Sequence, residues 1–184
     1  MSDLQKATFA SGCFWCTEAI FKRLKGVTSV MSGYSGGKRE DPNYEQVSSG
    51  ATGHAEAIQI EFDSNIIPYE KLLDIFWHTH NPTTLNQQGA DMGTQYRSAI
   101  FYHGEKQKEL AEKSKEELEN SGIYKDPIVT EILPFENFYK AEEYHQDYYD
   151  ANREAPYCTF VIDPKIQKLL KEYSNDVKEE YKNG

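Results

Sequence analysis

The 184-residue sequence predicts an α+β two-layer sandwich with a mainly antiparallel sheet. Three features point there. Short apolar runs alternate with stretches of helical periodicity in the order β-α-β-β-α-β-α-β-α-α. Several connections are too short or too loop-like for the crossovers that parallel strands need. No internal repeat divides the chain, and a length near the usual ~150 residues per domain predicts one domain. Its core is expected over residues 5–162, with a closing helix over 164–182.

The elements follow in order. Lys6–Ala10 reads as a strand, Ser11-Gly12 as a tight turn, and Phe14, Ile20, Phe21 and Leu24 as the apolar face of a helix closed by Gly26. Val27–Tyr34 is a strand, followed by a polar loop through Gly36-Gly37, Asp41-Pro42 and Gly50 to Gly53; loops of that length commonly carry function. Ala55–Phe62 alternates as a strand does, and Pro68–His78 is a helix with proline at its start. A second long loop, Asn81–Thr94, precedes a strand over Tyr96–His103. Gly104–Asn120 is an exposed helix with Leu110, Ala111 and Leu118 as its stripe and Glu109 four residues before Lys113. Ile128–Leu133 is β-branched enough for a strand, Ala141–Ala151 is a short helix, and Pro164–Tyr181 is an amphipathic packing helix through Ile166, Leu169, Leu170, Tyr173 and Val177.

Charge and hydropathy remove whole classes of function. With 30 Asp+Glu against 20 Lys+Arg the net charge is -10, which argues against a surface that tracks phosphates, so no nucleic-acid partner is expected. Mean hydropathy is -0.75 and no apolar run approaches the ~20 residues of a membrane span. The start, MSDLQKATFA, lacks the basic and apolar blocks of a signal peptide, so a soluble cytoplasmic protein is expected. Three cysteines are too few and too odd for a disulfide scaffold, and thirteen tyrosines exceed what a core of this size needs.

The chemistry concentrates in Gly12-Cys13-Phe14-Trp15-Cys16-Thr17-Glu18. Cys13 falls where the first strand turns into the first helix. A thiolate there gains from unpaired amides and the positive end of the helix dipole, which lowers its pKa and marks a nucleophile. Cys13 and Cys16 form C-x-x-C, a spacing that suits thiol–disulfide exchange or half a zinc site. Only Cys158 and five scattered histidines remain as further ligands, so no metal is expected.

GCFWCTE resembles the active-site signature of the peptide methionine sulfoxide reductase A family. Further stretches resemble it in the same order: Gly33-Tyr34-Ser35-Gly36-Gly37, Tyr44-Glu45-Gln46-Val47, Thr52-Gly53-His54-Ala55-Glu56, His80-Asn81-Pro82-Thr83-Thr84, Asp91-Met92-Gly93-Thr94-Gln95-Tyr96-Arg97-Ser98 and Ala141-Glu142-Glu143-Tyr144-His145-Gln146. The resemblance implies a sandwich with a ferredoxin-like core. It implies reduction of free and protein-bound methionine S-sulfoxide, a repair of oxidative damage. Cys13 matches the nucleophile that becomes a sulfenic acid, Glu56 the catalytic acid, Tyr44 and Tyr96 the phenols on the sulfoxide oxygen, and Asp91 a polar partner. Phe14 and Trp15 match the pocket for the methyl group. Burial beside aromatics is expected to raise the Glu56 pKa so that it holds a proton to give.

Regeneration is open at this stage. Cys158 lies where many relatives place a resolving cysteine, although their glycine-rich tail is absent; Cys16 is the rival, one helical turn from Cys13; direct reduction by an external thiol is the third route. The resemblance also implies a thioredoxin-like reductant, no bound cofactor and a monomer. His145 is expected to be structural, and Gln95 and Arg97 to brace a loop. Two other functions compete: a general C-x-x-C thiol–disulfide oxidoreductase, indifferent to Glu56, and an aromatic pocket that binds a methyl-sulfur side chain without reacting.

Overall fold

The computed structural model describes residues 1–183. Strand β1 (Leu4–Ser11) leads into α1 (Phe14–Lys22), β2 (Val27–Ser35), the short α2 (Tyr44–Ser48), β3 (Ala55–Asp63) and α3 (Tyr69–His78). A two-residue hairpin, β4 (Gln87–Gln88) and β5 (Asp91–Met92), precedes β6 (Ser98–Tyr102), α4 (Glu105–Ser121), β7 (Glu131–Pro134) and β8 (Tyr139–Lys140). The chain ends through α5 (Tyr148–Ala151) and α6 (Asp163–Glu172). Six strands form one sheet in the order β7-β6-β1-β3-β2-β8, antiparallel throughout except for the β6–β7 pair. The mixed α+β class and mainly antiparallel sheet are those expected from the sequence.

Side-chain parity explains the layering. In β3, Ile58, Ile60 and Phe62 face the helices and pack with Phe9 of β1 against Phe21, Leu72, Leu73 and Phe76, all at most 2% exposed or less. Phe9 lies 5.0 Å from Phe76 and 5.5 Å from Phe21, ring centre to ring centre. Burying each such ring is worth about 1.5–3 kcal/mol. The opposite face carries small residues, Ala10, Ala55, Ala57 and Ala99, beneath Phe101, Phe135 and Phe138. Gly33 belongs to that face, where a Cβ would stand 2.4 Å from the Phe138 ring.

Four expectations need redrawing. The polar loop after β2 contains α2, because Asn43 and Gln46 form a reciprocal capping box that nucleates one turn. Tyr96 belongs to a 3-10 turn over Thr94–Tyr96, so β6 begins only at Ser98. The helix expected over Ala141–Ala151 is broken: Asp147 takes a left-handed backbone (φ 53°), leaving a 3-10 turn at Glu143–His145 and one short turn of α5. The last helix starts from a π turn over Cys158–Ile162 and stops at Glu172. Val177 keeps its place in the core through 3-10 turns and a bridge to Leu24.

Candidate active site

The site begins at the β1–α1 turn. Gly12 has φ +96°, and a Cβ there would meet the Gln88 side chain at 2.7 Å, so glycine is needed on both counts. The chain then enters α1 with Cys13 at the N-cap, its carbonyl accepting from the amides of Cys16 (3.1 Å) and Thr17 (3.4 Å). The Thr17 hydroxyl donates back to the same carbonyl (3.3 Å), which leaves Ser11 as donor to Thr17 Oγ1 (2.9 Å). Strand end and helix start are thereby tied together, and the position of the Cys13 sulfur with them.

A cavity of about 170 Å³ opens at this turn, lined by Cys13, Phe14, Trp15, Tyr44, Glu56, Asp91, Tyr96 and Tyr157. Every residue that the sequence nominated as nucleophile, acid, phenol, polar partner or methyl wall lies on it. Trp15 stacks on Tyr148 at 3.6 Å between ring centres with 7° between planes, and Tyr157 meets it edge-on at 5.7 Å. Its indole N–H donates to His145 Nδ1 (3.1 Å). His145, 1% exposed and packed on Phe14 and Tyr44, therefore orients the aromatic wall from behind.

Glu56 arrives from β3, opposite Tyr34 of β2. It shares parity with Ile58, Ile60 and Phe62, not with Gln59 and Glu61, and so enters the protein at 2% exposure. Burial pushes its pKa up to about 8; the Phe14 amide, donating to Oε1 at 3.1 Å, opposes that, and Asp91 and Cys16 add to it. At neutral pH this carboxyl carries a proton. Tyr44 heads α2, and its amide donates to Glu142 Oε2 (3.0 Å) while the Tyr34 hydroxyl donates to Oε1 (2.9 Å). Burial raises the pKa of the Tyr44 and Tyr96 phenols, so both stay protonated and able to donate.

The thiols depart from expectation. Burial, the neighbouring Cys16 thiol and Glu56 together push Cys13 well above its ordinary pKa, despite its place at a helix start. One reason is visible: the Phe14 amide is engaged by Glu56, leaving the Trp15 amide to favour the sulfur anion. Cys16 is instead lowered to about 7, first by the neighbouring Cys13 thiol and further by the charge of Lys165, against the effect of burial. Its sulfur lies 3.6 Å from the Tyr157 hydroxyl, which donates to Asp91 Oδ2 at 2.7 Å. Cys158 is fully buried in the π turn, its pKa raised by burial, with Cys16 among the charges that act on it. All three cysteines are free. Among the described residues no three His, Cys, Asp or Glu side chains gather as metal ligands.

Sequence reasoning missed three supporting residues. Tyr157 was visible only as the neighbour of Cys158, Glu142 gave no sign that it would anchor two tyrosines, and Glu18 was given no role beyond closing the GCFWCTE stretch. Glu18 is in fact buried, accepting from the Ser32 hydroxyl (2.7 Å) and the Asp147 amide (2.6 Å), and burial raises its pKa to about 7. Its spacing, two residues before the apolar Ile20, carried no warning. Gln95 and Arg97 do brace the loop, donating to the carbonyls of Ser48, Thr94 and Gly53.

Known proteins resemble this chain in sequence and in fold. The family model described as peptide methionine sulfoxide reductase matches residues 5–178. A peptide methionine sulfoxide reductase MsrA of Saccharolobus solfataricus is 53% identical over 95% of this chain and 98% of its own. Among solved structures, Mxr1 of Saccharomyces cerevisiae in reduced form superposes with a TM-score of 0.77 at 35% identity, covering 86% of this chain and 92% of Mxr1. Mxr1 in complex with Trx2 matches with a TM-score of 0.55 at 29% identity, over 80% and 88% of the two chains. A match of this extent in sequence, joined to the same fold, places the chain in the peptide methionine sulfoxide reductase A family.

Proposed function

We propose that this chain reduces methionine S-sulfoxide, free and in proteins, with Cys13 as nucleophile and Glu56 as acid. The observation that carries the reading is a single side-chain-sized cavity that holds the Cys13 thiol, the rings of Phe14 and Trp15, the phenols of Tyr44 and Tyr96 and the buried Glu56 carboxyl. The methyl group seats against Phe14 and Trp15, and the sulfoxide oxygen faces Glu56 and the phenols of Tyr44 and Tyr96. The Cys13 sulfur bonds to the sulfoxide sulfur while Glu56 protonates the oxygen. As the original S–O bond breaks, the hydroxyl passes to Cys13, methionine leaves and Cys13 becomes a sulfenic acid. The proton lost by Cys13 replaces the one that Glu56 gave.

Cys16 fits the resolving role better than Cys158, because it lies one helical turn from Cys13 and its sulfur contacts Tyr157 on the wall of the same cavity, whereas burial raises the Cys158 pKa. Attack by Cys16 forms the S–S bond and expels water. An external dithiol protein of the thioredoxin type then restores both thiols, in keeping with the Mxr1–Trx2 complex. No prosthetic group enters the cycle. The reading takes the chain as one catalytic domain acting as a monomer in the cytoplasm, where such dithiols are kept reduced. Among the described residues no helix is long and apolar enough to cross a membrane.

The test is turnover of S- and R-sulfoxides with dithiothreitol by the wild type, Cys13→Ser and Glu56→Gln. Activity confined to the S form and lost in both variants is expected. Turnover by Cys13→Ser would overturn the reading, and full activity in Glu56→Gln with loss in Cys16→Ser would favour a general thiol–disulfide exchanger.

A further inference from the structure

Tyr157 has no place in the first half of that cycle, yet it touches two groups of the site. Its hydroxyl oxygen lies 2.7 Å from Asp91 Oδ2 and 3.6 Å from Cys16 Sγ. A phenol has one proton to donate, and a carboxylate at that distance takes it. The lone pairs then face Cys16, whose S–H is the donor in the second contact. The result is a directed chain, Cys16 to Tyr157 to Asp91, which ends on a carboxylate lining the same cavity as Glu56. The Trp15 indole, edge-on at 5.7 Å, helps to fix the ring that carries it.

We propose that Tyr157 is a catalytic residue of the resolving step: its oxygen accepts the Cys16 proton and passes its own to Asp91, so that Cys16 attacks the oxidised Cys13 as a thiolate. This rests on the reading of Cys16 as the resolving thiol. The step balances without any further reagent. The Cys16–Cys13 S–S bond forms as the S–O bond of the sulfenic acid breaks; Cys16 is oxidised and Cys13 is reduced to the disulfide level. The departing hydroxide takes a proton from Glu56 and leaves as water, and the proton received by Asp91 replaces it across the cavity. The titratable groups around Cys16 are Cys13 on its own helix, Glu56 from β3, Asp91 from β5, Tyr157 before the π turn, Cys158 within it and Lys165 from α6.

A single-turnover experiment without reductant separates the two halves. Enzyme is mixed with one equivalent of methionine S-sulfoxide and quenched in acid at intervals; released methionine reports the first half, and alkylation with peptide mapping reports the disulfide. Tyr157→Phe is expected to lower the ratio of the disulfide rate to the methionine rate by at least about tenfold at pH 7. The rise of its disulfide rate with pH should also lie at higher pH than in the wild type. Equal slowing of both steps would make Tyr157 only a wall of the cavity, and an unchanged ratio would leave it without a role; either result overturns the proposal. Cys16→Ser tests the underlying reading separately: a Cys13–Cys158 disulfide formed at the wild-type rate would remove Cys16 as the resolving thiol, whatever Tyr157→Phe does.

Discussion

Glu56→Gln separates two effects of burying a carboxyl beneath the first turn of α1. The folded chain holds the Glu56 proton up to about pH 8, whereas an unfolded glutamate releases it near its ordinary 4.5. Between those values the native state binds one proton more than the unfolded state, so stability falls as pH rises. At about 1.4 kcal/mol per pH unit, the window from 4.5 to 8 sets a ceiling of about 5 kcal/mol. Glutamine cannot ionise, and it keeps an oxygen for the Phe14 amide that now bonds Glu56 at 3.1 Å. The variant should match the wild type near pH 4.5 in urea denaturation and exceed it by a few kcal/mol at pH 8, with thiols kept reduced. Glu18, which titrates near 7, is present in both proteins and cancels from the difference. Methionine release in a single turnover should meanwhile fall by about 10²–10⁴, equivalent to ~3–5.5 kcal/mol of lost transition-state stabilisation. Stability curves of the two proteins that stay parallel from pH 4.5 to 8 would mean that Glu56 is ionised in the fold. The assignment of the acid would then be refuted.

Three further outcomes are expected. Tyr44→Phe and Tyr96→Phe should each slow single-turnover methionine release by about 10- to 100-fold by removing one donor to the oxygen, with the double variant short of the product of the two. Gly12→Ala should lower stability by about 1–3 kcal/mol in urea denaturation, since a φ of +96° penalises any side chain and the Gln88 contact adds to the cost. Glu18→Ala should strand the Asp147 amide and Ser32 hydroxyl, loosening the segment that carries His145 and Tyr148; the fluorescence of Trp15 should change, and Glu18→Gln should restore most of it.

The chemistry was more legible than the framework that holds it. Cys13, Glu56, Tyr44, Asp91 and Tyr96 sit in local motifs, and each motif brought its residue to the same cavity. Glu56 is the instructive case: counting in twos along β3 puts it with Ile58, Ile60 and Phe62, which foretells burial from the sequence alone. The Cys13 pKa was misjudged because a helix start was weighed without the burial that outweighs it. Tyr157 and Glu142 were invisible for another reason, since their partners lie 66 and 98–108 residues away and no local pattern encodes such contacts. The same limit applies to the broken helix at Asp147, whose backbone is held by Glu18 from 129 residues earlier in the chain.

Repair of oxidised methionine takes place where peroxides are present, and a permanently ionised cysteine would be consumed by them. Thiolates, not thiols, react readily with peroxide and climb to acids that cannot be reduced back. Cys13 is kept protonated by its surroundings, so it is a poor target for an oxidant that merely diffuses past. A bound sulfoxide takes the Glu56 proton onto its oxygen and leaves a carboxylate that can accept the Cys13 proton, so the thiol gives up its proton only as the substrate reacts. The dormant thiol thus acts as a safety catch, released by the damaged side chain itself.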